Sequence, residues 1–149
     1  MNATHRTTLP RGLKAMNRVV TTLYRLGVRI GTIHLLTVPG RKSGQPRTTP
    51  VSPYLVGGNR YLLGGIDGAD WVRNVRAAGT AVLARGKREE RVRLVELPVG
   101  ERGPILRAFP REVPHGVPMM IKTGLVEKGT PEEFEAVADR CTVFRVEPV

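Results

Sequence analysis

The sequence predicts an α+β fold built around a small antiparallel barrel. Short runs rich in β-branched and aliphatic residues recur along the chain, joined by turns of Gly, Pro and Asn. The order is one helix, then mostly strands in hairpins, with short helices between them. The 149 residues make one domain by size, enough to bury roughly two-thirds of the unfolded surface. No internal repeat or low-complexity segment interrupts it.

Residues 1–9 are polar and expected to be loose, and 10–27 read as a helix. Leu13, Met16, Val20, Leu23 and Tyr24 form its apolar stripe, with Pro10 in the first turn and Gly27 as the stop. Its other faces carry Arg11, Lys14, Arg18 and Arg25, so it is either packed on the domain or a basic amphipathic helix touching a membrane. Thr32–Val38 and Arg47–Val56 read as strands, the second an edge, bulged or ligand-facing one because Pro50 and Pro53 lie inside it. Gly57-Gly58-Asn59 turns the chain into a strand over Arg60–Gly64.

Asp67–Ala78 reads as a short helix capped by Asp67 or Asp70, with Trp71, Val75 and Ala78 on one face and Gly79 as its stop. Thr80–Ala84 and Glu90–Leu97 form a hairpin around Arg85–Arg88. Pro98–Phe109 is expected to be a helix interrupted at Gly103-Pro104, and Pro110–Lys128 to be the least regular segment. Its apolar content, including Val117, Met119, Met120, Ile121 and Leu125, suits a lid over a pocket better than a solvated loop. Thr130-Pro-Glu-Glu starts a helix running to about Ala138, and Thr142–Val146 is the final strand.

Formal charge is +11, the sequence pI is about 11.0, and no acidic residue precedes Asp67. Such a surface favours nucleic acid, an anionic membrane or an anionic ligand. The single cysteine, Cys141, excludes an internal disulfide and a cysteine-cluster metal site, and is expected to be a buried thiol. Neither a signal-peptide pattern nor a transmembrane-length apolar window occurs, and a cytoplasmic location, with possible membrane association, is the expectation.

No common catalytic set is present. His5, His34 and His115 are scattered, without the spacing of a triad or a metal site, and read as structural or solvent-facing. Neither a P-loop nor a dinucleotide fingerprint occurs. What remains is a basic turn within Val38–Val51, in which Arg41, Lys42 and Arg47 stand beside the hydroxyls of Ser43, Thr48 and Thr49. Such a turn aims charge and backbone N–H groups at one anion. With the Trp71 helix and the apolar 110–128 segment, it suggests an anionic ligand with an aromatic surface beside it and something apolar on top. Chemistry there would belong to a cofactor.

The stretch Leu35–Val51, with its Gly-Arg-Lys-Ser-Gly-x-x-Arg-x-x-Pro pattern, resembles the signature of the deazaflavin-dependent nitroreductase family. The resemblance continues through Tyr61–Gly65 and Trp71–Ala78, covering residues 10–97 clearly and the C-terminal third loosely. It implies a split β-barrel related to flavin-binding reductases. It also implies reduced coenzyme F420, a deazaflavin hydride donor with a phosphodiester and an oligoglutamate tail, with FMN less favoured. By that resemblance Arg41, Lys42, Ser43 and Arg47 would hold the phosphate and tail. The backbone at Pro50 and Val51 would meet the ring, and Trp71 and Asn74 would complete its pocket. Gln45, Thr49 and Gly65 belong to the same matched stretches and go with this set.

The acceptors implied are quinones, nitroaromatics or conjugated double bonds. Asp67 and Asp70 stand where family members often carry a lysine, and Met119, Met120 and Ile121 stand in place of tyrosines that line some acceptor sites. A fatty-acyl or other lipid binder on the same barrel is therefore the alternative. Nucleic-acid binding is set aside, because three Tyr, three Phe and one Trp offer little stacking surface and no recognition motif occurs. The assembly is expected to be a monomer or homodimer.

Overall fold

The computed structural model describes residues 33–66 and 69–149. The expected tail at 1–9, the helix at 10–27 and Asp67 lie outside the described residues. In chain order the elements are β1 (His34–Pro39), β2 (Pro46–Val51), β3 (Tyr54–Val56), β4 (Asn59–Ile66), α1 (Asp70–Ala78), β5 (Thr80–Arg85) and β6 (Arg88–Glu96). After them come α2 (Val99–Glu112), a 3₁₀ turn at Pro114–Gly116, α3 (Val117–Lys122), α4 (Pro131–Ala136) and β7 (Cys141–Pro148).

The seven strands form one antiparallel sheet in the order β2-β1-β5-β6-β7-β4-β3. Strands β2 and β3 are thus its two edges, yet only Ser52 and Pro53 separate them in the chain. A flat sheet would hold those edges six spacings, roughly 29 Å, apart. The three Cα steps from Val51 to Tyr54 reach at most about 11 Å. The sheet must therefore curl until its edges meet, leaving a half-barrel open along the β2/β3 seam. The fold is the α+β split barrel expected.

The single strand expected over 47–56 is instead two strands on opposite edges. Pro53 breaks it, and Pro46 and Pro50 are tolerated because an edge strand can turn a missing N–H away from the ladder. The tight β3–β4 turn follows from Gly57 and Gly58, both at positive φ (58° and 86°).

Alternating side chains give the barrel two cores. Inside it, Leu36, Val38, Leu62, Leu83, Val92, Leu94, Phe144 and Val146 pack against Val72 and Val75 of α1. Outside it, Cys141 and Val143 of β7 face Ile105, Leu106 and Phe109 of α2 and Phe134 of α4. The Cys141 thiol is buried, as expected. Phe109 bridges Tyr54 and Phe134, with ring centroids 5.5 and 5.2 Å away.

Helix α2 is not interrupted at Gly103-Pro104 but runs through both Pro104 and Pro110. The carbonyl that Pro104 leaves without an intrahelical donor is that of Gly100, which is exposed and can bond water. Burial of Ile105, Leu106 and Phe109 outweighs the local loss. Arg102, 6% exposed, pins this helix by donating to the carbonyls of Leu97, Ala138 and Cys141 and to Glu96. The segment after Pro110 is likewise more regular than expected, since α3 lies within it. On α1 the buried face is Val72, Asn74 and Val75, not Trp71, Val75 and Ala78, and Ala78 is exposed. Its N-cap is Ala69, without a side-chain bond, so Asp70 does not cap it. Gly79 does stop it, at φ 78°.

Candidate cofactor and acceptor site

The barrel seam opens into a cavity of about 450 Å³, within the size range of small-molecule sites. One wall is the edge strand and its exit: Pro50, Val51 and Ser52. The floor is Leu63, Gly64 and Gly65 of β4, and a side wall is Ala69 and Trp71 at the start of α1. The cover is the segment foreseen as a lid, contributing Val113, His115, Gly116, Met119, Met120 and Thr123.

The two floor glycines have different causes. Register slips between Leu63 and Gly65, making a bulge. A Cβ on Gly64 would stand 3.0 Å from Thr142 Cβ and 3.0 Å from Val72 Cγ2, so its absence lets α1 seat on the sheet. Gly65 has φ 71° and nothing within 4 Å of a Cβ position, leaving the floor open to a ligand.

The lid is held from behind. The Glu133 carboxylate accepts the backbone N–H groups of Glu127, Lys128, Gly129 and Thr130 at 2.7–3.3 Å. Thr130 Oγ1 accepts from Glu133 N, completing a capping box. These donors, that of Glu127 foremost, hold the Glu133 carboxyl below its usual range. The Tyr54 hydroxyl, its pKa pushed far up by burial, donates to Ile105 O and ties β3 to α2 beneath the lid.

The basic turn lies at the other end of β2. Gly40 N donates to Gln45 O and Gly44 N to Gly40 O, both at 2.8 Å, closing the loop, while Gln45 N donates to Ser43 Oγ. Above Gly40, Ser43 Oγ and Arg47 Nε converge: a Cβ there would lie 3.1 and 3.4 Å from them. Arg41 faces α1. Its backbone N and Nη1 both donate to Asn74 Oδ1, at 3.0 and 2.9 Å, and its Nη2 pairs with Asp70 Oδ1 at 3.3 Å. Asp70 thus neutralises part of Arg41, and buried Asn74 fixes where the turn sits. Lys42 is exposed.

A family model for F420H(2)-dependent quinone reductases matches residues 12–118. The chain belongs to this family. The coenzyme of the F420H(2)-dependent quinone reductases is F420, and membership makes the protein an F420-dependent oxidoreductase. No curated protein matches the chain. Among solved structures, a domain-swapped dimer is 20% identical with a TM-score of 0.58, over 90% of this chain and 98% of that one. The structure of an F420-H2 dependent reductase (FDR-A) is 24% identical with a TM-score of 0.56, over 81% of this chain and all (100%) of that one. A Clostridium acetobutylicum protein related to general stress protein 26, of the pyridoxinephosphate oxidase family, is 10% identical with a TM-score of 0.51, over 91% and 82%. At these identities the likeness is one of fold.

Of the residues expected to hold coenzyme, Pro50, Val51, Gly65 and Trp71 line the cavity. Arg41, Lys42, Ser43, Gln45 and Arg47 lie at the turn or directly after it, and Thr49 lies on β2 between the two ends. Asn74 does not line the cavity; it anchors Arg41. The sequence reading missed the cavity-lining His115, whose Nε2 lies 3.2 Å from Ser52 Oγ. No spacing signal links positions 63 residues apart. Among the described residues no group of His, Cys, Asp and Glu is placed to hold a metal, and no helix is long and apolar enough to cross a membrane.

Proposed function

We propose that this F420-dependent oxidoreductase carries the deazaflavin ring in the cavity against Pro50 and Val51, with the anionic phosphate and tail at the basic turn. Its acceptor would be a lipophilic quinone, nitroaromatic or conjugated double bond, lying between the ring and the lid. One observation carries this reading: a single edge strand joins an apolar cavity to a basic turn. From Pro46 to Val51 is five steps, about 17 Å, a separation that suits a ligand with a ring at one end and anionic groups at the other.

The residues present fit the coenzyme. Lys42, Arg47 and the Ser43 hydroxyl offer charge-assisted bonds to phosphate or carboxylate oxygens. Asp70 does not oppose an anion with a bare charge, because Arg41 pairs with it. When bound, reduced F420 supplies a hydride. The chain's contribution is orientation and exclusion of water: Val51 and Trp71 wall the ring, and Met119 and Met120 cover the acceptor with flexible apolar surface.

The apolar lining also supports a second reading, a lipid binder without F420 turnover. Both are tested by following reduced F420 oxidation with menadione, a nitroaromatic and a conjugated enone, alongside mass spectrometry of whatever ligand co-purifies. Turnover with at least one acceptor supports the reductase. Co-purified acyl lipid with no F420 binding at micromolar levels overturns it. The assembly we propose is a homodimer, supported by the domain-swapped dimer of like fold.

A further inference from the structure

We propose that His115 is the proton donor to the acceptor and that Ser52 is its positioning residue. This rests on the reductase reading and names the group that completes its chemistry. The cavity is lined almost wholly by apolar side chains and glycines; among its described lining residues only Ser52, Trp71, His115 and Thr123 carry polar side-chain atoms. Thr123 Oγ1 is turned to the Met120 carbonyl. An indole N–H does not release its proton near neutral pH, and a lone hydroxyl does so poorly. The imidazole is the one group of the four that serves as a general acid or base in its own right.

The fold aims this imidazole. Ser52 directly follows Val51, in the two-residue link that crosses the barrel seam. His115 sits in the 3₁₀ turn that leads into the lid helix. Gly116 clamps that turn, since a Cβ there would stand 2.9 Å from Phe109 Cζ and 3.2 Å from Val113 Cγ1. The turn therefore packs on the α2 core, and the exposed Ser52 Oγ to His115 Nε2 contact of 3.2 Å ties seam to lid beside the cavity that both residues line. An acceptor oxygen lodged beside Ser52 Oγ comes within reach of the same Nε2.

The chemistry calls for a proton at the acceptor oxygen, and this group is placed to deliver one. A quinone or conjugated carbonyl that gains a hydride from the reduced coenzyme shifts an electron pair onto its oxygen. The protonated His115 ring then gives up its Nε2 proton: the N–H bond breaks, an O–H bond forms on the acceptor, and the ring, now a neutral imidazole, regains a proton from solvent. Proton transfer by a positioned group of this kind contributes about 10²–10⁴-fold in rate.

The test uses the full-length protein, reduced F420 and menadione. His115→Gln keeps a hydrogen-bonding partner for Ser52 and cannot transfer the proton; kcat should fall about 100-fold or more, with F420 affinity unchanged. In His115→Ala, added imidazole should restore part of the rate. Ser52→Ala should lower kcat by about tenfold with KM little changed, and Ser52→Thr should recover most of it. A His115→Gln rate within about threefold of wild type, or a loss that imidazole does not rescue, overturns the inference while leaving the reductase reading standing. A wild-type protein that oxidises no reduced F420 overturns both.

Discussion

Replacing Asn74 tests whether α1 organises the basic turn. Its Oδ1 accepts two bonds from Arg41, from the backbone N at 3.0 Å and from Nη1 at 2.9 Å. A neutral bond contributes about 1 kcal/mol and one to a charged group about 1.5–3 kcal/mol. Asn74 is 6% exposed, whereas the Arg41 side chain is 25% exposed, so water recovers part of what Asn74→Ala removes. The expected loss is about 1.5–3 kcal/mol in denaturant unfolding, or roughly 4–10 °C in Tm at this chain length. F420 affinity should fall with it, because the turn loses its fixed position. Asn74→Asp keeps the acceptor and should hold stability within about 1 kcal/mol of wild type, yet still weaken F420 binding by adding a negative charge beside Arg41. If Asn74→Ala matches wild type in both unfolding and F420 titration, the turn is not organised by this helix.

Two further outcomes concern the lid. Gly129 has φ 80°, and a Cβ there would overlap Val117 Cγ1 of α3. Gly129→Ala should cost about 2–4 kcal/mol through overpacking and left-handed backbone strain, with hydrogen exchange accelerated first in 117–130. Glu133 is held below its usual carboxyl range in the folded state, so its stabilisation is present above the unfolded value and is lost as pH falls through the lowered folded one. Amides of Glu127–Thr130 should therefore lose protection in acid before the barrel strands do, and Glu133→Gln should already lack that protection at neutral pH.

Much of this was legible in the chain because the signals were local. Gly57-Gly58, Gly79 and Thr130-Pro-Glu-Glu each announced their turn, stop or cap, and the apolar residues after Pro110 announced a cover. Readings failed where distant residues decide. Pro104 argued for a helix break, but the packing of Ile105, Leu106 and Phe109 prevailed. The run from Arg47 to Val56 looked like one strand; its halves pair with β1 and β4 on opposite edges, which no local pattern encodes. Asp70 looked like a cap or a hazard to an anion and is instead the partner of Arg41, 29 residues away. Arg102 and His115 carried no local signal at all: one is defined by carbonyls 36 and 39 residues distant, the other by a serine across the seam.

The central claim is that one strand joins two half-sites, a basic grip for the anionic tail and an apolar cavity for the ring. Its most direct test titrates wild type and the Lys42→Ala/Arg47→Ala double variant with F420 and with its ring portion lacking phosphate and tail. F420 binding should weaken by roughly 2–5 kcal/mol in the double variant, while the ring portion binds both proteins alike. Equal losses for the two ligands, or no loss for F420, would contradict the account.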